Sequence, residues 1–120
     1  MSVETEKISI RIGSDSEMAE ITEKVQRVIE ESNMVDGTVT IFIPGATGSV
    51  STVEYEPGLQ EDIPEALERL APADISYKHH QTWNDDNGRS HVRATIMGPG
   101  MVVPFVDKKL QLGRWQNIVA

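Results

Sequence analysis

The chain has 120 residues and a mass of 13.3 kDa, the size of one compact domain, which we expect to span residues 1–120. Eleven basic residues against nineteen acidic ones give a formal net charge of −8, which disfavours nucleic acid and anionic membranes as partners. The absence of cysteine excludes disulfides, thiolate catalysis, iron–sulfur clusters and cysteine-ligated zinc. Any metal must therefore be bound by histidine, carboxylate or water.

The N-terminus carries acidic residues, whereas a secretory signal has a basic start followed by an apolar run. No stretch reaches the about 18 apolar residues of a membrane-spanning helix. We therefore expect a cytoplasmic protein that does not bind membranes. Aromatic residues make up only 5% of the chain, so a core of aliphatic side chains gains from surface shared between subunits.

The first half of the chain predicts strands around one helix. Isoleucines alternate with polar residues over 8–12, which predicts a strand with one buried face. Ser14, with Glu17 three positions later, predicts an N-cap, and the helically spaced apolar residues that follow predict about four turns. The β-branched residues of 38–43 predict a second strand, and the extended segment 50–54 predicts a third.

The second half predicts one more helix and more strands. Apolar spacing predicts a helix over 59–70, in which Pro64 is tolerated only in the first turn. Residues 76–88 are polar and end in turn-forming residues, so they predict a long loop. Alternation predicts a strand over 90–97, and strands follow at 101–106 and at the C-terminus. Two helices among roughly six strands predict an α+β fold with a mainly antiparallel sheet or sandwich.

All three histidines lie within the stretch from His79 to His91, which suggests a metal-binding or catalytic site there. Neutral imidazoles with an acidic or water ligand bind zinc or another borderline divalent ion. Adjacent residues on an extended chain point in opposite directions, so at most one of His79 and His80 faces the same centre as His91. The alternative is that the two loop histidines titrate in solvent and His91 forms a hydrogen bond within a sheet.

Three further features each have two interpretations. Arg93 shares the predicted strand face of His91. One interpretation is that it binds a phosphate or carboxylate there, and the other is that it forms a cross-strand ion pair. The small-residue segment, residues 44–49, forms an anion-binding nest of backbone N–H groups, or it is a bend between strands. Glu54, just before a turn, is a ligand or general base, or a solvated carboxylate.

An ordered set of short motifs is specific enough to compare with known families. In chain order the motifs are Ile43-Pro-Gly-Ala-Thr-Gly-Ser-Val50, Glu54, Leu67-Glu-Arg-Leu-Ala-Pro72, Tyr77-Lys-His79, Ser90-His91-Val-Arg93 and Gly113-Arg-Trp115-Gln116. This set resembles the YjbQ family, described as secondary thiamine-phosphate synthases. The resemblance covers the chain from the first predicted strand to the last residue.

The resemblance implies a trimeric α+β fold with a β-sandwich-like core and a site of histidine and acidic residues between subunits. The implied activity joins a hydroxymethylpyrimidine diphosphate to a thiazole phosphate and releases pyrophosphate, so the implied partners are a small phosphorylated metabolite and two copies of the same chain. Residue by residue, the resemblance matches Glu54, His79, Ser90, His91 and Arg93 to family positions. We expect catalytic roles for Glu54 and His91 and substrate binding by Thr47, Ser49, Ser90 and Arg93. The clustering of the histidines and the absence of cysteine lead us to expect a divalent metal, zinc or magnesium, on some of His79, His80 and His91.

One departure from the family pattern bears on activity. Family members with the better-known pattern carry histidine near the start of the small-residue segment, at the position of Gly45 in this chain. One acid–base or ligand group is therefore missing. Two alternatives stay open beside the transferase: a non-catalytic trimeric protein that binds a metal or an anionic metabolite, and a hydrolase that activates water with a metal.

Overall fold

The computed structural model describes residues 1–120, which form four helices and five strands. In chain order these are α1 (Thr22–Glu31), β1 (Gly37–Phe42), β2 (Ser51–Val53), α2 (Pro57–Leu70), α3 (Lys78–Trp83), α4 (Gly88–Met97), β3 (Gly100–Val106), β4 (Lys109–Leu110) and β5 (Asn117–Val119). The fold is α+β with antiparallel sheets, as predicted, although it has four helices where the sequence predicted two. None of these helices is long and apolar enough to cross a membrane.

The strands form two small antiparallel sheets. One has the order β1-β3-β4, and Val39 of β1 lies opposite Val103 of β3. The other pairs β2 with β5, where Thr52 lies opposite Ile118. The turn at residues 107–108 has positive φ at both positions, as a two-residue hairpin loop requires, and it joins β3 to β4 as predicted.

The core lies where α1 packs against β3 and β5. The residues of α1 and its N-cap that face inward are spaced four apart, which places them on one side of the helix. The strands contribute side chains from the inner faces of both sheets. The seven buried core residues are Ile21, Val25, Ile29, Val50, Val103, Phe105 and Ile118.

The predicted first strand is wrong as a strand, although its alternation is real. Residues 8–12 belong to no sheet. Ile8 and Ile10 are nevertheless half-buried and pack against the core. The alternating pattern therefore reflects an extended segment that buries one face but has no hydrogen-bonded neighbouring strand.

The first helix begins later than predicted. Ser14 and Glu17 form an isolated turn, in which Ser16 has a positive φ of 59° that ends any helical continuation. The next residues bond to β5, with the Ile21 N–H donating to the Ile118 carbonyl at 2.8 Å. The helix consequently starts only at Thr22.

Two helices, α3 and α4, replace the predicted loop over 76–88 and the predicted strand over 90–97. Alternation over eight residues fits either element, because the hydrophobic pattern is too short to separate the two periods. In the structure the buried residues of α4 are Gly88, Arg93 and Ala94, of which the last two are adjacent in sequence. A strand would send these side chains to opposite faces, whereas a helix keeps both on the side that packs.

Candidate functional site

A cluster of polar side chains lies where α3 packs against α4. His79 stands in the first turn of α3 and His91 in the first turn of α4, and their ring centroids are 4.3 Å apart with a 48° tilt. Asp85 and Asn87 come from the connection between the two helices. We refer to His79, Asp85, Asn87 and His91 as the histidine cluster.

The close approach of the two helices depends on a glycine. An added Cβ at Gly88, the first residue of α4, would lie 2.6 Å from the Cβ of Tyr77. Tyr77 is the N-cap of α3, and its hydroxyl donates to the Pro72 carbonyl at 2.6 Å. Only a residue without a side chain lets α4 begin against this tyrosine, and that contact brings His91 beside His79.

The imidazole of His79 is oriented by two acceptors. Its Nε2 lies 3.1 Å from Asn87 Oδ1 and 3.1 Å from Asp85 Oδ1. The His79 side chain is 27% exposed, so it is partly sheltered yet open to a small molecule. An imidazole fixed at one nitrogen, with a second imidazole beside it, is an arrangement suited to general acid–base catalysis.

The predicted three-histidine metal site does not assemble within the chain. His80 contacts the backbone of the cluster and not its other imidazoles, with Nδ1 2.6 Å from the backbone carbonyl oxygen of Asp85. No group of three or more histidine or carboxylate side chains is placed to hold a metal ion. The residues present therefore do not fit a zinc or magnesium centre built from one chain alone.

Arg93 does not share a face with His91, so the predicted pairing of the two is wrong. Residues two apart on a helix point about 200° apart, whereas on a strand they would point the same way. Arg93 is 9% exposed, and its Nε and one Nη donate to the carbonyl of Ala71 at 3.1 and 2.9 Å. Its remaining bonds reach Ser16 Oγ at 3.0 Å and Glu68 Oε2 at 2.6 Å.

These bonds use four of the five N–H groups of Arg93, and none of its contacts supports the predicted phosphate-binding role. An ion pair was the alternative interpretation of Arg93 from the sequence. The structure has such a pair, with Glu68, but it joins helices α4 and α2 instead of two strands. The backbone N–H of Ala73, which donates to Glu68 at 3.0 Å, is the main cause that holds the pKa of Glu68 below its ordinary value. Arg93 adds to this lowering through its hydrogen bond and its charge.

Glu54 is not joined to the histidine cluster. It is exposed just after β2, and its side chain forms no hydrogen bond or ion pair within the chain. Ser90 precedes His91 in the first turn of α4 and is half-buried. The catalytic role predicted for Glu54 and the substrate contact predicted for Ser90 stay predictions.

The small-residue segment, residues 44–49, is anchored at the C-terminal end of α4. Hydrogen bonds from the flanking backbone reach the carbonyls of Pro99 at 2.9 Å and Gly98 at 3.3 Å. Thr47 is exposed and Ser49 is half-buried on this segment. Their hydroxyls make no side-chain hydrogen bond, so the predicted contact with a substrate is neither blocked nor tested.

Asp85 and Asn87 were missed by the sequence interpretation. Both stand in the run Asn84-Asp-Asp-Asn-Gly88, where their residue types predict only a turn. The turn does form, since Asn84 ends α3 in the left-handed region with φ 54°. Its contribution to the cluster depends on where α3 and α4 pack, which no local pattern reports.

The chain belongs to the family described as UPF0047 protein YjbQ-like, whose model it matches over residues 6–120. A UPF0047 protein of Archaeoglobus fulgidus is 36% identical over 113 residues, which cover 94% of this chain and 86% of that protein. A UPF0047 protein of Methanothermobacter thermautotrophicus is 34% identical over 118 residues, covering 98% of this chain and 81% of the relative.

Solved structures agree with this family and fold. A YbjQ-like protein of unknown function from Sulfolobus solfataricus has a TM-score of 0.81 and 35% identity, covering 86% of this chain and 73% of that one. A hypothetical protein from Aeropyrum pernix has a TM-score of 0.80 and 33% identity, covering 86% and 75%. Family and fold are therefore established, and the activity has to be argued from the site.

Proposed function

We propose that this protein transfers a pyrimidine group between small phosphorylated metabolites, by chemistry similar to thiamine-phosphate synthesis, and that the histidine cluster supplies the acid–base groups. The observation that carries the proposal is the placement of His79 Nε2 between two acceptor oxygens, with the His91 ring 4.3 Å from the His79 ring. Histidine exchanges protons near neutral pH, which suits this role.

The reaction places a specific demand on the site. A carbon–nitrogen bond forms between the pyrimidine methylene carbon and the thiazole nitrogen as the bond from that carbon to the diphosphate oxygen breaks. Negative charge then develops on the departing diphosphate, and a nearby imidazolium stabilises it or protonates it. His91 is our choice for this group, and His79 exchanges protons with it.

We also propose that the site binds a divalent ion, although a single chain does not supply enough ligands for it. Zinc or magnesium would neutralise diphosphate charge. Because the chain offers no three-residue ligand set, such an ion would need His79 or His91 together with substrate oxygens, water or a second subunit. Glu54 and His80 lie outside the cluster, so any ligand role for them requires that second subunit.

The partners that we propose are a phosphorylated metabolite and two further copies of the chain. Assembly with other copies is supported by the large amount of surface that a single chain leaves exposed, and three copies is the number that the family resemblance implies. The accessible surface is 8367 Å². A compact monomer of this mass exposes roughly 6,500 Å².

The decisive assay is formation of thiamine phosphate from the two phosphorylated precursors, with and without a chelator. We expect His91→Gln to lower kcat by about 10²- to 10⁴-fold, because it removes the proton-exchanging group while keeping a polar side chain. Gln81→Ala, an exposed change on α3, is the matched control and should keep parental turnover. Unchanged turnover in His91→Gln would contradict the proposed site.

The second candidate, a non-catalytic binding protein, is favoured by Gly45, where the family resemblance implies histidine. An added Cβ at Gly45 meets nothing within 4 Å, so the first side-chain atom of Gly45→His has room. If the parent lacks turnover and Gly45→His restores it, the chain is a binding protein on a transferase scaffold. Products of simple phosphate hydrolysis would instead favour a metal-dependent hydrolase.

A further inference from the structure

Asn87 holds a position typical of a helix cap but does not act as one through its side chain. It is the N-cap residue of α4, and asparagine is preferred there because its side-chain oxygen accepts a backbone N–H of the first turn. Here the side chain makes no cap hydrogen bond. The Asn87 backbone carbonyl accepts from Ser90 and His91, while its Oδ1 is 3.1 Å from His79 Nε2.

The surroundings of Nε2 decide which nitrogen of His79 carries the proton. Asp85 Oδ1 is 3.1 Å away, and an ionised carboxylate offers only acceptor oxygens. A lone pair on Nε2 would face this negative oxygen and be repelled by it, whereas an N–H there is attracted. Nε2 therefore bears the hydrogen, and the Asn87 amide must turn its oxygen, not its NH₂ group, towards the ring.

Asn87, rather than Asp85, takes that hydrogen. The contact with Asn87 Oδ1 has hydrogen-bond geometry, whereas Asp85 Oδ1 is buried and has no hydrogen-bond partner. Asp85 thus contributes its charge and Asn87 the bond. Buried polar atoms without partners are rare in native proteins and mark sites where local stability has been given up for function.

We infer that Asn87 is a positioning residue that, together with the charge of Asp85, fixes His79 in the tautomer with hydrogen on Nε2, so that Nδ1 is the ring atom that accepts a proton. This inference rests on the proposed acid–base function of the cluster. It names the reactive atom of His79 and assigns a role to a residue that touches no substrate. In a neutral histidine, the hydrogen bond made by one ring nitrogen determines whether the other ring nitrogen carries a proton.

The direct test is nitrogen NMR of the ¹⁵N-labelled protein at about pH 8, above the usual imidazole pKa. His79→Gln identifies the His79 signals by their loss. In the parent we expect a protonated Nε2 and an unprotonated Nδ1. Asn87→Leu combined with Asp85→Ala removes both the acceptor and the charge at Nε2 and should give a mixture of both tautomers, whereas Asn87→Asp, which supplies an acceptor oxygen, should keep the single tautomer.

Asn33→Leu is the matched control, since Asn33 is exposed and its side chain makes no hydrogen bond. Backbone amide spectra show whether each variant stays folded. If the double variant unfolds, the parent spectrum still decides, because a proton on Nδ1 of the parent would overturn the inference. An unchanged tautomer in the folded double variant Asn87→Leu/Asp85→Ala would overturn it as well.

Kinetics separate this inference from the proposed function. Where the parent turns over the phosphorylated precursors, the double variant Asn87→Leu/Asp85→Ala should lower kcat about tenfold and leave KM nearly unchanged, since it alters the proton acceptor of His79. An inactive parent with the expected tautomer would contradict the proposed function alone. An active parent with the other tautomer would contradict the inference alone.

Discussion

At the scale of single residues, Arg93 shows how a charged side chain becomes part of the framework. Its guanidinium joins α4 to the end of α2 and to the turn at Ser16. The Ala71 residue that accepts two of its bonds is 1% exposed, so water cannot easily replace the guanidinium there. Such a carbonyl is costly to leave without a donor.

Arg93→Met should lower the free energy of unfolding by about 2–4 kcal/mol, because methionine keeps the apolar stem but leaves the Ala71 carbonyl and Glu68 without their donor. Urea denaturation followed by circular dichroism measures the change. Arg11→Met, at an exposed arginine outside any ion pair, should stay within about 0.5 kcal/mol of the parent. Equal effects of the two substitutions would refute the structural role.

Glu68 predicts a pH dependence of stability. Its pKa is lowered in the folded protein, so the carboxylate contributes stability that is present above the unfolded-state pKa and is lost as pH falls through the folded-state pKa. We expect the free energy of unfolding to decline below about pH 4.3, the ordinary range of glutamate, and to decline less steeply in Glu68→Gln. Glu65→Gln, exposed on the same helix, should retain the parental slope.

At the scale of secondary-structure elements, α1 is held at its C-terminus by a side chain from a distant hairpin. The ammonium of Lys108 donates to the carbonyls of Ile29, Ser32 and Met34, at 3.4, 2.5 and 2.9 Å. The last carbonyls of a helix lack intrahelical hydrogen-bond partners and carry partial negative charge. A lysine at this end donates hydrogen bonds to them and places a positive charge beside them. The hairpin turn thus acts as the cap of α1.

Lys108→Met should destabilise the protein by about 1–2 kcal/mol, since it removes one charge that serves three carbonyls. The neighbouring Lys109 is exposed and its side chain makes no hydrogen bond, which makes Lys109→Met a matched control. Thermal unfolding of both variants measures the difference. A melting temperature lowered equally in both would show that the capping contacts contribute nothing.

The second helix, α2, shows that an exposed helix tolerates an interior proline. Pro64 is the eighth of its fourteen residues, although the sequence predicted that it must lie in the first turn. The helix begins earlier because Glu56 accepts N–H bonds from Gly58 and Leu59, and Pro57 occupies the first position. No residue of α2 is buried, so water can satisfy the carbonyl that Pro64 leaves unpaired.

At the scale of the whole molecule, the chain is more extended than an isolated domain of its length. Its radius of gyration is 16.2 Å. A compact chain of this length has about 13.6 Å. The outer face of the β1-β3 sheet carries three exposed apolar side chains, Phe42, Val102 and Val106, at 62, 58 and 47%. A continuous apolar face of this kind is typical of a surface that another subunit covers.

We expect light scattering at micromolar concentration to return the mass of three chains of 13.3 kDa each. Val102→Asp places a charge on the outer sheet face and should shift the mass towards one chain, because an unpaired charge is costly to bury. Val3→Asp, at a valine that is 79% exposed outside the sheets, should keep the parental mass. A parent of 13.3 kDa would exclude the trimer.

Several features could be determined from the sequence because their causes are local. The four-residue spacing of Val25 and Ile29 predicts a helix with one buried face, and α1 has that face. The β-branched residues of β1 predict a strand, and the turn after β3 follows from polar residues between two extended runs. The grouping of His79 and His91 in sequence predicted that the two side chains lie close together, and their ring centroids are 4.3 Å apart, while their role as a site stays a prediction.

Other features were decided only by tertiary structure. Whether residues 90–97 form a strand or a helix depends on the Ala71 carbonyl and Glu68, which lie about twenty residues away and give Arg93 a buried partner. The roles of Asp85 and Asn87 depend on the packing of α3 against α4. The secondary-structure propensity of a short segment does not predict these contacts, because a hydrogen bond between residues far apart in sequence forms only when the elements pack together.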